Sequence, residues 1–246
     1  MGDLPTGFVR VTAGRRVAVA LEAHALDARA MLARGSLYDA AAADPAARSL
    51  EGRGVAFAIA LPETGTRAVV RHNRHGGVFA PLTRDLFLPP TRAPQELQSA
   101  MRLAALDIPT PAVLMYGLEP VGVLFRRADV VTREVERAND LSAYLAGGTP
   151  PADREAAWAA TRRLVMLMHE AGVRHHDLNV KNVLLARAGS DLTAYLLDVD
   201  RVTFGRPSDA RLLEGNVRRL LRSARKWRDE RGATFDEREL TELVVA

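Results

Sequence analysis

The chain has no cysteine, so neither a disulfide framework nor a thiolate metal site is open to it, which fits a reducing cytoplasm. Aromatic residues fill only 5% of its 246 positions. That is too few for the stacking platforms that hold single-stranded nucleic acid, and no nucleic-acid motif is present. No apolar run approaches the roughly 18–20 residues needed to span a bilayer. Met1-Gly2-Asp3-Leu4-Pro5 lacks the basic start and apolar core of a signal peptide. No internal repeat is evident. Lysine occurs at positions 181 and 226 alone, so arginine carries the positive charge. The formal net charge is only +4, yet the pI is near 9.9. What is present is a 48% hydrophobic chain, long enough for one bilobal domain or two small ones.

The pattern of apolar residues and turn formers divides the chain into a strand-rich first half and a helix-rich second half. Phe8-Val9-Arg10-Val11 and Val17–Leu21 read as short strands around a Gly14-Arg15 turn. A helix is expected over His24–Arg34, closed by Gly35. Ala40–Ser49, Ala-rich with Pro45, reads as a loop or a frayed helix. Two strands follow, Val55–Ile59 and Thr66–His72, joined by a Pro62-Glu63-Thr64-Gly65 turn. A helix is expected over Gln95–Leu106. Val113–Tyr116 and Gly122–Arg127 pair as strands, and Ala128-Asp129-Val130-Val131 reads as a hinge between halves. Asp140–Ala146 is a short helix. Asp153–Ala171 is the most strongly periodic one, with Trp158, Leu164, Leu167, Met168 and Ala171 on one face.

After that helix comes His175-His176-Asp177-Leu178-Asn179-Val180-Lys181-Asn182, then the apolar run Val183-Leu184-Leu185, then Tyr195-Leu196-Leu197-Asp198-Val199-Asp200. An Asp, an Asn five residues on, and a strand ending in a second Asp is the catalytic layout of the kinase fold. There the first Asp (Asp177) takes the proton of the attacking hydroxyl. The Asn (Asn182) and the later Asp (Asp198) hold the Mg2+ ions that bridge the phosphates of ATP. The spacing has a geometric reason: a tight loop sets a carboxylate at the acceptor and an amide at the metal, and a hairpin returns the second carboxylate. The competing reading is a polar turn between buried strands, with Asp177 and Asn182 making ordinary turn hydrogen bonds. A metal site from His169, His175 and His176 is disfavoured, because adjacent side chains on a strand point apart.

The kinase reading assigns further residues. Gly52 and Gly54 form a small-residue turn where backbone amides approach phosphates, though a plain hairpin turn has the same composition. Arg71 ends the next strand, where a kinase ordinarily carries its phosphate-gripping Lys; a solvated strand end is the alternative. Glu96, in the first turn of its helix, is placed either to pair with Arg71 or simply to suit the helix dipole. Asp129 falls in the segment expected to meet adenine. Near the C-terminus, Arg218, Arg219, Arg222, Arg225, Lys226 and Arg228 recur at helical spacing, as a solvated basic helix or as a landing face for an anionic surface.

These pieces run in an order that resembles the 3-deoxy-D-manno-octulosonic acid (Kdo) kinases and the wider lipopolysaccharide core kinases. They include Gly52-Arg53-Gly54, Val70-Arg71-His72, Arg74-His75-Gly76-Gly77 and Thr91-Arg92-Ala93 before Glu96. Ile108-Pro109-Thr110-Pro111, Arg127–Thr132, His176–Asn182, Asp198–Arg201 and Asn216–Leu220 complete the set. Residues 1–48 match less clearly. The resemblance implies an α+β, protein-kinase-like bilobal domain over 1–246, with an antiparallel-sheet N-lobe over about 1–131 and a mainly helical C-lobe over about 132–246. It implies ATP as donor with Mg2+, and as acceptor a hydroxyl of Kdo on a lipid A precursor. It further implies a cytoplasmic enzyme, peripheral on the inner membrane. Asp177 is then the base, Asn182 and Asp198 the metal ligands, and Gly52, Gly54, Arg71, Glu96 and Asp129 the nucleotide-binding set. Two readings compete: a related kinase for heptose or another hydroxyl, and a catalytically silent kinase-like binding module.

Overall fold

A computed structural model describes residues 4–50, 54–73, 91–122, 124–189, 191–233 and 238 of the chain. Gly52 and the Arg74-His75-Gly76-Gly77 loop lie outside the described residues. The chain forms two compact units, one of residues 1–101 and 112–134, the other of 102–111 and 135–246.

The first unit is built on alternating apolar residues. Phe8–Ala13 (β1) and Arg16–Leu21 (β2) form a hairpin that leads through a 3-10 turn into Ala25–Arg34 (α1) and Leu37–Ala42 (α2). Arg48–Leu50 (β3), Ala56–Ala60 (β4) and Arg67–His72 (β5) follow, then Ala93–Ala105 (α3), Val113–Val121 (β6) and Phe125–Arg133 (β7). All seven strands pair antiparallel in the order β1-β2-β6-β7-β5-β4-β3. Met31 and Leu32 of α1 and Leu37 and Ala41 of α2 pack on Ala18, Ala20, Val70, Met115 and Val131 of the sheet. Gly117 permits this packing: a Cβ there would stand 2.9 Å from Leu37 Cδ1.

One expectation fails in this unit and one is refined. Ala40–Ser49, read as loop or frayed helix, holds the last residues of α2 and then turns into β3; the start of α2 lies ahead of it, signalled by Ser36-x-x-Asp39. The Ser36 hydroxyl accepts from the Asp39 amide at 3.0 Å and the Asp39 carboxylate from the Ser36 amide at 3.3 Å, a capping box. Ala128–Val131 is no hinge. It lies inside β7, with β6 on one side and β5 on the other, Asp129 standing opposite Gly117 and His72. The Asp129 carboxylate is 3% exposed, accepts from the Tyr38 amide at 3.0 Å and pairs with His72 Nδ1 at 2.6 Å. It joins α2 to the sheet and is not available to adenine; a buried carboxylate needs such partners.

A second buried carboxylate, Asp27, ties α1 to the β4–β5 turn. It accepts from the Glu63 amide (2.8 Å), the Thr64 amide (3.1 Å) and the Thr64 hydroxyl (2.8 Å), and faces His24 Nδ1 at 2.9 Å. Burial alone would raise its pKa; the bonds from His24, Glu63 and Thr64 outweigh burial and hold it below the usual carboxylate range. A depressed folded-state pKa contributes stability above the unfolded value of about 3.9, and that contribution is lost as pH falls through the folded value. Asp27→Ala should therefore cost roughly 2–4 kcal/mol at neutral pH by stranding two amide donors. Urea unfolding should show the gap between wild type and variant closing in acid.

In the second unit Ala138–Asp140 (β8) precedes Leu141–Leu145 (α4), capped by the Asp140 carboxylate. Pro151–Glu170 (α5) starts two residues before the expected Asp153, since Pro is tolerated in a first helical turn. Its Trp158, Leu164, Val165 and Met168 are buried. Val173–His175 (β9), Val183–Ala188 (β10), Asp191–Leu196 (β11) and Val202–Phe204 (β12) lead to Ala210–Arg231 (α6). β10 pairs antiparallel with β11 and β8, and β9 with β12. Between α5 and β9 the chain turns at Gly172, with φ of 67°; a Cβ there would lie 2.6 Å from the Arg206 carbonyl, so only glycine fits. α6 buries Leu213, Val217, Leu220, Leu221 and Ala224 at helical spacing, with Asn216 among them.

Candidate active site

The two short strand pairs of the second unit bring the three expected acidic and amide residues into one hydrogen-bonded knot. β9 delivers His175-His176-Asp177, and β10 begins just after Asn182. The β10–β11 hairpin returns the chain to Leu197-Asp198, and β12 closes against β9. The Leu197 amide donates to the Asn182 carbonyl at 2.9 Å and the His176 amide to the Arg201 carbonyl at 3.0 Å. Asn179 Nδ2 and Asn182 Nδ2 both donate to the Asp177 carbonyl at 2.8 Å. Asn182 thus spends its amide nitrogen on the loop and keeps its oxygen. Asp198 adopts a left-handed backbone, φ 58° and ψ 47°. Asn182 Oδ1 and the Asp198 carboxylate are hard oxygen donors of the kind Mg2+ selects. Among the described residues no cluster of three or more His, Cys, Asp or Glu is arranged for a metal. Two protein ligands still suit an ion that keeps several waters.

His175, weighed in the sequence only as a disfavoured metal ligand, is the hub. It is fully buried; its Nδ1 accepts from the Asp177 amide at 3.1 Å, so the proton sits on Nε2, which donates to the Leu197 carbonyl at 3.0 Å. One imidazole therefore sets the Asp177 backbone against that of the residue preceding Asp198. Burial pushes its pKa down, outweighing the Leu197 bond and the nearby Asp198 and Asp177, which raise it. Nitrogen NMR should find this ring as the neutral Nε2-H tautomer, titrating below the ordinary value of about 6.5. A ring already protonated above that value would contradict the arrangement.

Two groups of α6 hold the same loop. Asn216, fully buried, accepts from the His175 amide at 3.0 Å through Oδ1 and donates to the Val173 carbonyl at 2.8 Å through Nδ2. Ser223 Oγ accepts from the Val180 amide at 3.2 Å. The sequence carried a signal for Asn216, a lone amide on the apolar stripe of a helix. It carried none for Ser223. Lys181 Nζ pairs with Asp140 at 2.9 Å and lies 5.0 Å from the Trp227 ring centroid. His176 Nε2 meets the Thr203 hydroxyl at 2.8 Å. Its pKa is pushed down by burial, then by Arg174, Arg219 and Arg201 around it.

In the first unit Arg71 and Glu96 form the expected ion pair, through Nη2 and Oε1, with Glu96 almost wholly buried. Arg71 Nη1 also donates to Asn73 Oδ1 at 3.1 Å. Gly54 lies in the bend before β4.

Residues 41–244 match the model of the lipopolysaccharide kinase (Kdo/WaaP) family. The chain belongs to that family. Its relatives named 3-deoxy-D-manno-octulosonic acid kinase include one from Stenotrophomonas maltophilia, 34% identical over 200 residues, 78% of this chain and 74% of the relative. One from Haemophilus influenzae is 29% identical over 205 residues, 80% of this chain and 83% of the relative. Among solved structures, WaaP in complex with acyl carrier protein superposes with a TM-score of 0.53 at 19% identity, covering 87% of this chain and 85% of that one. The Rio2 kinase–ADP/Mg2+–phosphoaspartate complex from Chaetomium thermophilum gives 0.50 at 16%, covering 98% and 71%. The fold is therefore protein-kinase-like. As a member of the lipopolysaccharide kinase family, the protein is a phosphotransferase, with ATP the donor such a kinase implies.

Proposed function

We propose that this lipopolysaccharide kinase transfers the γ-phosphoryl group of ATP to a hydroxyl of Kdo on a lipid A precursor. The observation that supports the mechanism is the knot around His175, which bonds the Asp177 amide and the carbonyl of Leu197, the neighbour of Asp198, while Asn182 bonds the Asp177 carbonyl. The Asp177 carboxylate takes the acceptor hydroxyl proton as the new O–P bond forms and the bond to the departing ADP breaks. Asn182 Oδ1 and the Asp198 carboxylate would hold Mg2+, which would neutralise phosphate charge. Arg71, oriented by buried Glu96, grips phosphate oxygens in place of the usual Lys, aided by backbone near Gly54.

Kdo as acceptor is supported by the relatives' name and by coverage of four-fifths of the chain. The exposed bases of α6, among them Arg218, Arg222 and Lys226, supply a face for an anionic inner leaflet, worth ~1 kcal/mol per base near the surface. No described helix is long and apolar enough to cross a membrane, so attachment would be peripheral. The test is incubation with ATP, Mg2+ and a Kdo-bearing lipid A precursor, followed by mass spectrometry of the product. A gain of one phosphate on Kdo is expected. Transfer only to heptose-containing core would move the assignment to a sister kinase, and nucleotide binding without transfer would make the protein a silent module.

A further inference from the structure

Near His176, the chain neighbour of Asp177, lies a cluster of positive charge that the mechanism above leaves unused. Arg174 sits on β9 opposite Thr203 of β12, and Arg201 precedes β12, its carbonyl bonded to the His176 amide at 3.0 Å. Arg219 comes from α6. The Arg174 guanidinium lies against that helix, its Cζ 3.5 Å from where a Cβ on Gly215 would project, one turn from Arg219. All three positive charges help to push down the pKa of the His176 imidazole, so all three are felt at the residue next to Asp177 in the chain. Each is half-buried. Other bases of α6 have acidic neighbours on their own helix: Arg218 pairs with Glu214, Lys226 with Glu230 and Arg228 with Asp229. Among the described residues Arg174, Arg201 and Arg219 have no carboxylate within ion-pair distance. Like charges brought together and partly desolvated destabilise the fold unless an anion completes them.

We propose that Arg174, Arg201 and Arg219 form the subsite for the carboxylate of the acceptor sugar acid, and so distinguish Kdo from a neutral sugar. This rests on the reading of the acceptor as Kdo. A guanidinium offers paired N–H donors that match a carboxylate, and its charge does not depend on pH in the working range. The position fits the task. A carboxylate held beside His176 fixes the sugar one residue from the base, so that binding energy orients the hydroxyl at Asp177. A neutral heptose would leave three guanidiniums uncompensated, which rejects it more firmly than a missing contact would.

The experiment measures acceptor KM and kcat for the full-length wild type, Arg219→Gln and Arg219→Lys, with Mg-ATP affinity and thermal stability followed in parallel. Three acceptors are used: the Kdo-bearing lipid A precursor, the same compound with the Kdo carboxyl as its methyl ester, and a form stripped of its lipid A phosphates. For the wild type, the ester should raise KM roughly 10–100-fold, as loss of charged hydrogen bonds predicts. Arg219→Gln should raise KM for the acid by a similar factor, leave the ester unchanged and leave Mg-ATP affinity intact, with Arg219→Lys restoring part of the loss. The inference is overturned if Arg219→Gln weakens acid and ester equally, or if its effect disappears only with the phosphate-stripped acceptor. A wild type inert on any Kdo acceptor would instead overturn the proposed function itself.

Discussion

Asp177→Ala should lower kcat by about 10²–10⁴-fold while leaving Mg-ATP affinity nearly unchanged, the range that general-base assistance commonly contributes. Removing this side chain takes away the proton acceptor and the orienting contact for the hydroxyl. It removes none of the backbone bonds that shape the loop, because Asn179 and Asn182 bond the Asp177 carbonyl and His175 the Asp177 amide. The site should stay assembled and fail only in chemistry. Asp198→Ala is the contrasting case: it deletes a proposed metal ligand, so Mg-ATP binding and turnover should fall together. Titration with a fluorescent nucleotide and single-turnover transfer separate the two. If Asp177→Ala turned over near the wild-type rate, or lost nucleotide as Asp198→Ala does, the assignment of the base would be wrong.

Asn216→Leu is expected to be the most damaging substitution away from the reacting groups. Leucine keeps the apolar stripe of α6 and approximates the volume, yet strands the His175 amide and the Val173 carbonyl in a fully buried place. At about 1–3 kcal/mol per stranded group, the second unit should lose roughly 2–6 kcal/mol, a large share of the stability of an ordinary domain. Activity should fall beyond the unfolded fraction, because His175 is the residue that places Asp177. Hydrogen exchange would show it: the amides of 173–180 should lose protection before those of α5. Asn216→Asp provides the comparison: it keeps the acceptor for His175, and its buried carboxyl can donate to Val173 only when protonated. Its defect should shrink as pH falls, whereas that of Asn216→Leu should not.

The chemistry of the site was more legible in the sequence than its support. Asp177, Asn182 and Asp198 stand out because their spacing is fixed by a loop and a hairpin, both local, and the Arg71–Glu96 pair could be posed as a question of which helix follows which strand. His175 is different. Its neighbour His176 looks the same in sequence, and only the β9–β12 pairing decides which ring turns inward to Leu197. Ser223, the one serine of a largely basic helix, carries no mark of a role until the loop is seen against it. Asp129 misled because a short polar interruption in an apolar run resembles a linker. The strand in fact continues through it, and the charge is absorbed by His72 and by the start of α2. The Ser36-x-x-Asp39 box marks the start of α2 in the sequence itself, ahead of the Ala-rich stretch with Pro45 in which the helix ends.

The left-handed backbone at Asp198 has a consequence for how variation at that position should be interpreted. Few side chains tolerate that conformation. Glycine does so freely, and aspartate and asparagine better than the rest. Most replacements would therefore report two defects at once, a lost carboxylate and a contorted turn between β11 and β12. Asparagine alone removes the negative charge while keeping shape and backbone preference, and glycine alone relaxes the backbone while removing the whole side chain. Read as a pair, they separate geometry from charge at one atom's cost, and a wider mutational scan here would measure tolerance of the turn rather than need for the acid.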